Sequence, residues 1–222
     1  MKNKYFKNSH ISEHTFRLLL KYFCEDFDAT QTSRLTKVSR KTVNRIYSKL
    51  RSRIVLLGKH ESPFEGEIEV DESYFGPRRI RGKRGRGASG KIPVIGLLKR
   101  NGKVFTKVVN NCSRKDLMPV IKGKVLEGST VYTDGWKSYD GLVLNGYKHY
   151  RIHHHENEFA RGKNHVNGIE SFWSYTKRRL RKFNGIRKEK FFLHLKESEF
   201  RWNHRGDTMY SELIKILRKI PL

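Results

Sequence analysis

Acids are scarce in this chain, where 22 Asp and Glu stand against 48 Lys and Arg. A carboxylate kept in so basic a protein calls for a reason, and one acid from each of three separate elements is weighed first. Asp71 lies in GEIEVDESYFG (Gly66–Gly76), Asp134 in STVYTDGWKSYDGL, and Glu170 in NHVNGIESFWSYTKRRLRKFNG (Asn164–Gly185). Taken singly, Asp134 is a turn residue before Gly135, and Glu170 is a surface companion of Lys177. Brought together, three carboxylates are tolerated only where a cation neutralises them. Oxygen ligands with open positions suit Mg²⁺ or Mn²⁺. Two such ions can activate an attacking oxygen and stabilise a leaving one in an in-line phosphodiester displacement.

The elements that must position these acids can be read from periodicity. Gly66–Gly76 reads as a strand, with Glu67, Glu69, Asp71 and Ser73 on one side and Ile68, Val70 and Tyr74 on the other. IPVIGLLKRNGKVFTKVVNN reads as two strands around Asn101-Gly102, a tight-hairpin signal. Ser113 opens the helix SRKDLMPVIKGKVL, with Pro119 as its weak point. A short strand, Thr130–Thr133, carries Asp134 at its carboxyl end, and Tyr147–His154 can form a fifth strand. Asn164–Gly185 then reads as one helix. Ile169, Phe172, Trp173, Leu180 and Phe183 form its apolar stripe, and Asn167, Glu170, Ser174, Lys177 and Arg181 form the polar stripe beside it. Lys188–Arg205 is the last helix of this series, with Phe191, Leu195 and Phe200 inward. Antiparallel strands followed by alternating helices and strands predict an α/β fold, a mixed sheet flanked by helices.

The first sixty residues differ. Ser12 caps a helix with Phe16, Leu19, Leu20 and Phe23 on one face. A short helix near Ala29–Leu35, a turn at Thr36–Val38 and an N-cap at Ser39 then lead into a longer helix. That helix turns Val43, Ile46, Tyr47, Leu50 and Ile54 inward. Arg40, Lys41, Asn44, Arg45 and Lys49 face outward, as donors suited to phosphates and purine edges. The pattern predicts an all-α helix-turn-helix DNA-binding domain over 1–60, followed by a linker at Gly58–Pro63.

Charge supports the same class of partner. A formal net charge of +26 favours a polyanion, so nucleic acid is the expected ligand. Arg81, Lys83, Arg84 and Arg86 lie in the Gly- and Arg-rich stretch Pro77–Lys91, suited to following a phosphate backbone. Lys137, Arg178 and Arg181 add further phosphate contacts, and Trp136 and Tyr139 either stack on an end base or pack in the core. Cys24 and Cys112 belong to no CxxC or Cys/His pair, which excludes a zinc ribbon or C2H2 finger. His153, His154 and His155 are consecutive and make a poor metal site, and His149 and His165 read first as structural. MKNKYFKNSH lacks the apolar core of a signal peptide, so the expected location is the cytoplasm.

VDESYFG, YTDGWKSY and HVNGIESFWSYTKRRL resemble the blocks of bacterial DDE insertion-sequence transposases, specifically the ISXO-like group, from about Glu65 to Arg205. The resemblance implies a ribonuclease-H-like catalytic core over 65–205, with 206–222 as a C-terminal helical tail. It also implies a divalent metal, cleavage at the ends of the element, and strand transfer into target DNA through a freed 3′-hydroxyl. Carried over by position, Asp71 and Asp134 are the first two acids, and Lys177 is the basic residue that holds DNA near the cut. In this group the third acid position is either Glu or Asn, so both Glu170 and Asn167 are candidates. Glu170 is favoured because an amide oxygen carries no net charge. The expected metal set is Asp71, Asp134 and Glu170 with Mg²⁺ or Mn²⁺, in two ions. The expected assembly is a homodimer or larger on double-stranded DNA carrying terminal inverted repeats. Two alternatives share these features: a non-catalytic helix-turn-helix regulator, and a nuclease with the same core but no joining step.

Overall fold

The structure, a computed structural model, describes residues 3–58, 62–76, 90–134, 137–152, 165–206 and 209–222. It divides into two compact units, one formed by Glu61–Arg181 and the other by Met1–His60 with Lys182–Leu222. No helix among the described residues is long and apolar enough to cross a membrane.

The first of these units is built on a five-stranded sheet: β1 (Glu67–Phe75), β2 (Ile92–Lys99), β3 (Val104–Val108), β4 (Thr130–Asp134) and β5 (Lys148–Ile152), in the order β3-β2-β1-β4-β5. β1 pairs antiparallel with β2 and parallel with β4, so the strand carrying Asp71 lies at the centre. β2 turns back into β3 through Asn101, which takes a left-handed φ of 55°. A mixed sheet with flanking helices is the α/β architecture expected from the sequence.

The two faces of β1 are covered differently. Ile68 and Val70 join Ile95, Leu97 and Val131 in a core closed by Leu117 and Ile121 of α4 (Arg114–Lys124). On the other face lies α5 (Asn167–Arg181), which buries Ile169, Phe172 and Trp173. Close approach of α5 depends on Gly96 in β2, because a Cβ there would stand 2.8 Å from Ile169 Cδ1 and would strike the Trp173 ring. Trp173 completes this layer edge-on to Phe75, with ring centroids 5.9 Å apart.

Helix α5 is shorter than the expected Asn164–Gly185. It ends at Arg181, and Asn184 and Gly185 follow in left-handed backbone, with φ of 50° and 119°, which stops helix propagation.

The second unit is helical: α1 (Glu13–Cys24), α2 (Ala29–Thr36), α3 (Arg40–Gly58), α6 (Lys188–Asn203) and α7 (Met209–Lys219). Asp28 caps α2 in a capping box with Gln31, and Ser39 Oγ accepts from the Thr42 N–H to start α3. Lys37, in left-handed backbone at φ 58°, turns the chain between the two helices. Phe16, Leu19, Leu20, Val43, Ile46 and Leu50 form the core, together with Phe200 of α6 and Leu213 and Leu217 of α7.

Residues 182–205 pack with the N-terminal helices, and the expected tail contributes α7 to the same core. A buried ion network accounts for this packing. Glu197 of α6 accepts from Arg51 Nε of α3 at 2.7 Å and from Arg201 Nη2 at 2.8 Å. A carboxylate 1% exposed, held by two guanidinium groups, binds α6 to α3 rather than to the sheet.

Candidate active site

Asp71 and Asp134 occupy corresponding levels of neighbouring parallel strands, since the last paired residues before them are Val70 and Thr133. Alternation along β1 turns Glu67, Glu69, Asp71 and Ser73 away from the Ile68–Val70 core, toward α5. Asp71 is thereby desolvated, and its carboxyl is pushed up to about 6, first by burial and then by the negative charges of Asp134 and Glu170. A backbone N–H bond and the nearby Trp173 indole oppose the shift. Asp71 thus lies within the electrostatic reach of both other acids of the sequence analysis. Among the described residues, no three His, Cys, Asp or Glu side chains converge as a ready-made metal cluster.

Helix α5 supplies the facing wall. Asn167 is its first residue, and Glu170 lies in its first turn; both are exposed. Lys177 lies two turns farther on. Desolvation lowers its ammonium pKa while the charge of Asp71 raises it, and its Nζ sits 5.8 Å from the centre of the Phe75 ring. Arg178 and Arg181 continue the exposed basic face, whereas Arg179 is buried.

Glu72, the residue after Asp71, is a second perturbed acid. Burial pushes its carboxyl up to about 8, and the Tyr139 hydroxyl donates to it from a short 3₁₀ turn, Lys137–Tyr139. Tyr139 itself is fully buried, and its phenol is held well above the ordinary range by burial and by Glu72. His149 Nε2 meets Thr133 Oγ1 at 2.8 Å, and burial lowers its pKa.

One carboxylate that the sequence analysis passed over proves central. Glu69 is 1% exposed, and its Oε2 accepts the Ile169 N–H at 2.9 Å, satisfying an otherwise orphaned donor of the first turn of α5. Its Oε1 accepts from Arg100 Nε at 3.1 Å and lies 3.4 Å from His165 Nδ1. Arg100 also donates to the His165 carbonyl at 2.6 Å and stacks over the Tyr132 ring at 3.7 Å. Gly168 makes room for this arrangement, because a Cβ there would come within 2.8 Å of Glu69 Oε2. The warning sign in the sequence was a strand carrying acids at 67, 69 and 71 on one covered face. A buried acid needs a cation, and Arg100 at the hairpin end was the available one.

The other expected contact residues are distributed as follows. Arg40, Lys41, Asn44, Arg45 and Lys49 are all exposed on α3. Arg81, Lys83, Arg84, Arg86, Trp136 and His153–His155 lie outside the described residues, as does the Lys137 side chain.

Known proteins similar to this chain include two relatives from transposable-element contexts. A transposase-like protein of Haemophilus influenzae is 45% identical over 117 residues, covering 53% of this chain and 94% of its own length. A protein in the transposable element ISH50 of Halobacterium salinarum is 29% identical over 180 residues, covering 74% of this chain and 60% of its own length. Among solved structures, the catalytic core domain of BIV integrase is similar with a TM-score of 0.42 and 13% identity, covering 70% of this chain and 98% of that one. The Mos1 strand transfer complex is similar with a TM-score of 0.35 and 12% identity, covering 92% of this chain and 75% of that one. Residues 63–203 match the family described as the ISXO2-like transposase domain, and the chain belongs to that family.

Proposed function

We propose that this protein is a DNA transposase that cuts at the ends of an insertion sequence and joins the freed 3′-hydroxyl to target DNA, using divalent metal. The observation that carries the reading is Asp71, a desolvated carboxylate on the central strand whose charge is opposed by Asp134 and Glu170. Such a set costs stability when empty and gains most from a hard cation. Its donor chemistry fits Mg²⁺ or Mn²⁺, with Asp71, Asp134 and Glu170 as the holding residues and Asn167 as the rival third ligand. When bound, the metal supplies Lewis-acid stabilisation of charge on the attacking and leaving oxygens.

The protein's own residues do the rest. Glu69 and Arg100 fix the start of α5 on β1, so Glu170 is presented at a set height above Asp71. Lys177, in the field of Asp71, is suited to hold a phosphate beside the cut. Arg178, Arg181 and Lys137 extend the phosphate track, and Arg81, Lys83, Arg84 and Arg86 contribute from the basic loop. In the helical unit, Arg40, Lys41, Asn44, Arg45 and Lys49 of α3 read DNA in the manner of a helix-turn-helix. Joining two ends to one target requires at least two copies on the DNA.

A strand-transfer assay with Mg²⁺, element-end duplexes and target DNA tests this. Asp71→Ala and Asp134→Ala should abolish both cleavage and joining while end binding persists; full activity in either variant would overturn the proposal. Glu170→Gln and Asn167→Ala, run alongside, identify the third ligand by which one loses activity. Cut but unjoined ends from the wild type would assign a nuclease instead.

A further inference from the structure

The helical unit contains a cleft of about 670 Å³ between α3, the start of α2, the segment Lys182–Arg187 and the first turns of α6. Its cations fall into two groups. Arg51 is buried and bonded to Glu197 at 2.7 Å, and Lys182 Nζ pairs with Asp26 at 2.6 Å, so both are internally balanced. Arg40, Arg187 and Lys190 also line the cleft but are exposed, and none of the three pairs with an acid among the described residues. The lining acid, Asp28, is occupied in accepting the Thr30 and Gln31 N–H groups at 2.7 and 2.9 Å. With three exposed cations against the one lining acid, the cleft carries a net positive charge from two walls.

One of those walls is the edge of α3 formed by Arg40, Asn44 and Ser48, at successive four-residue intervals. This edge borders the exposed face with Lys41 and Arg45. An anion held between it and Arg187 or Lys190 must also lie against α3. We infer that the cleft seats a DNA sugar–phosphate strand, the one bordering the groove that α3 enters, with Arg187 and Lys190 as phosphate clamps on the far side. This rests on the reading of α3 as a DNA-binding helix. The clamps come from a segment about 130 residues beyond the end of α3, inside the stretch that matches the transposase family. End binding and the family domain would then share residues.

Phosphate contacts are independent of sequence, so any duplex of about 30 base pairs serves as probe. Binding of the full chain is measured by fluorescence anisotropy across a salt series. The variants are Arg187→Gln with Lys190→Gln, Asn44→Ala, and a charge-matched control, Lys215→Gln with Arg218→Gln, on the exposed face of α7. Arg187 makes no side-chain cap bond to α6, so its loss leaves that helix start intact. The clamp variant should weaken binding, and its plot of log affinity against log salt should lose about two units of slope. An unchanged slope, or a loss no larger than that of the α7 control, overturns the clamp while leaving DNA binding by α3 standing. A wild type that binds no duplex, or an Asn44→Ala variant and clamp variant both at wild-type affinity, overturns the α3 reading itself.

Discussion

Glu69 and Asp71 are two residues apart on the same face of β1, and their surroundings are opposite. Glu69 is 1% exposed and compensated on both oxygens, by Arg100 and by the start of α5. Asp71 is desolvated too, yet the charges that weigh most on it are two further carboxylates, and its pKa rises to about 6. One end of the strand face is built as a finished joint, and the other is left electrostatically incomplete. Glu69 is neutralised by a cation from within the fold, whereas the charges that raise the Asp71 pKa are carboxylates.

The largest expected effect tests the finished joint. Glu69→Ala leaves Arg100 Nε and the Ile169 N–H without their acceptor and removes the buried counter-charge of an Arg100 side chain that is 11% exposed. It should destabilise the protein by about 3–5 kcal/mol in urea unfolding. A loss near zero would mean that Glu69 is no more structural than Asp71, and the contrast would collapse.

The opposite sign is expected at Asp71. Its folded pKa of about 6 lies above the ordinary value of 3.8, so the folded state holds the proton more tightly than the unfolded chain. Stability from this group is complete below about pH 4 and is lost as pH rises toward about 6. Glu72, raised to about 8, extends the same fall toward neutral and mildly alkaline pH. Asp71→Asn should therefore stabilise the metal-free protein by about 2 kcal/mol at pH 7 and flatten the decline in melting temperature between about pH 4 and 6. Added Mg²⁺ should raise the melting temperature of the wild type and not that of the variant. Destabilisation by Asp71→Asn at pH 7 would show that Asp71 is compensated after all.

A smaller effect sharpens how the joint is made. Gly168→Ala improves helix propensity but drives a methyl group into Glu69 Oε2, so a net loss of about 1–3 kcal/mol is expected. A gain in thermal stability would show that Glu69 can move aside. The smallest effect concerns the unfinished end: Glu170→Gln should lower the Asp71 titration midpoint, read by carboxyl NMR, by removing one opposing charge. No movement would detach α5 from the site.

Much of this was legible without coordinates. The alternation of β1, the Asn101-Gly102 hairpin and the apolar stripe Ile169–Phe172–Trp173 are local patterns, and each formed as read. Which acid on β1 is structural was not legible. That depends on Arg100, 31 residues on, and on the Ile169 N–H, 100 residues from Glu69. Nor did any local signal assign α6 to the helical unit. Its Glu197 reads as an ordinary helical charge until Arg51, 146 residues earlier, is found beside it.

The sequence by itself determined the elements, the family and the short list of acids, because periodicity, turn chemistry and residue type act over a few neighbouring positions. Only the tertiary structure decided the state of each acid. Burial and the presence of a counter-charge are set by residues far apart in the chain, and they make Glu69 a joint and leave Asp71 exposed to its own kind.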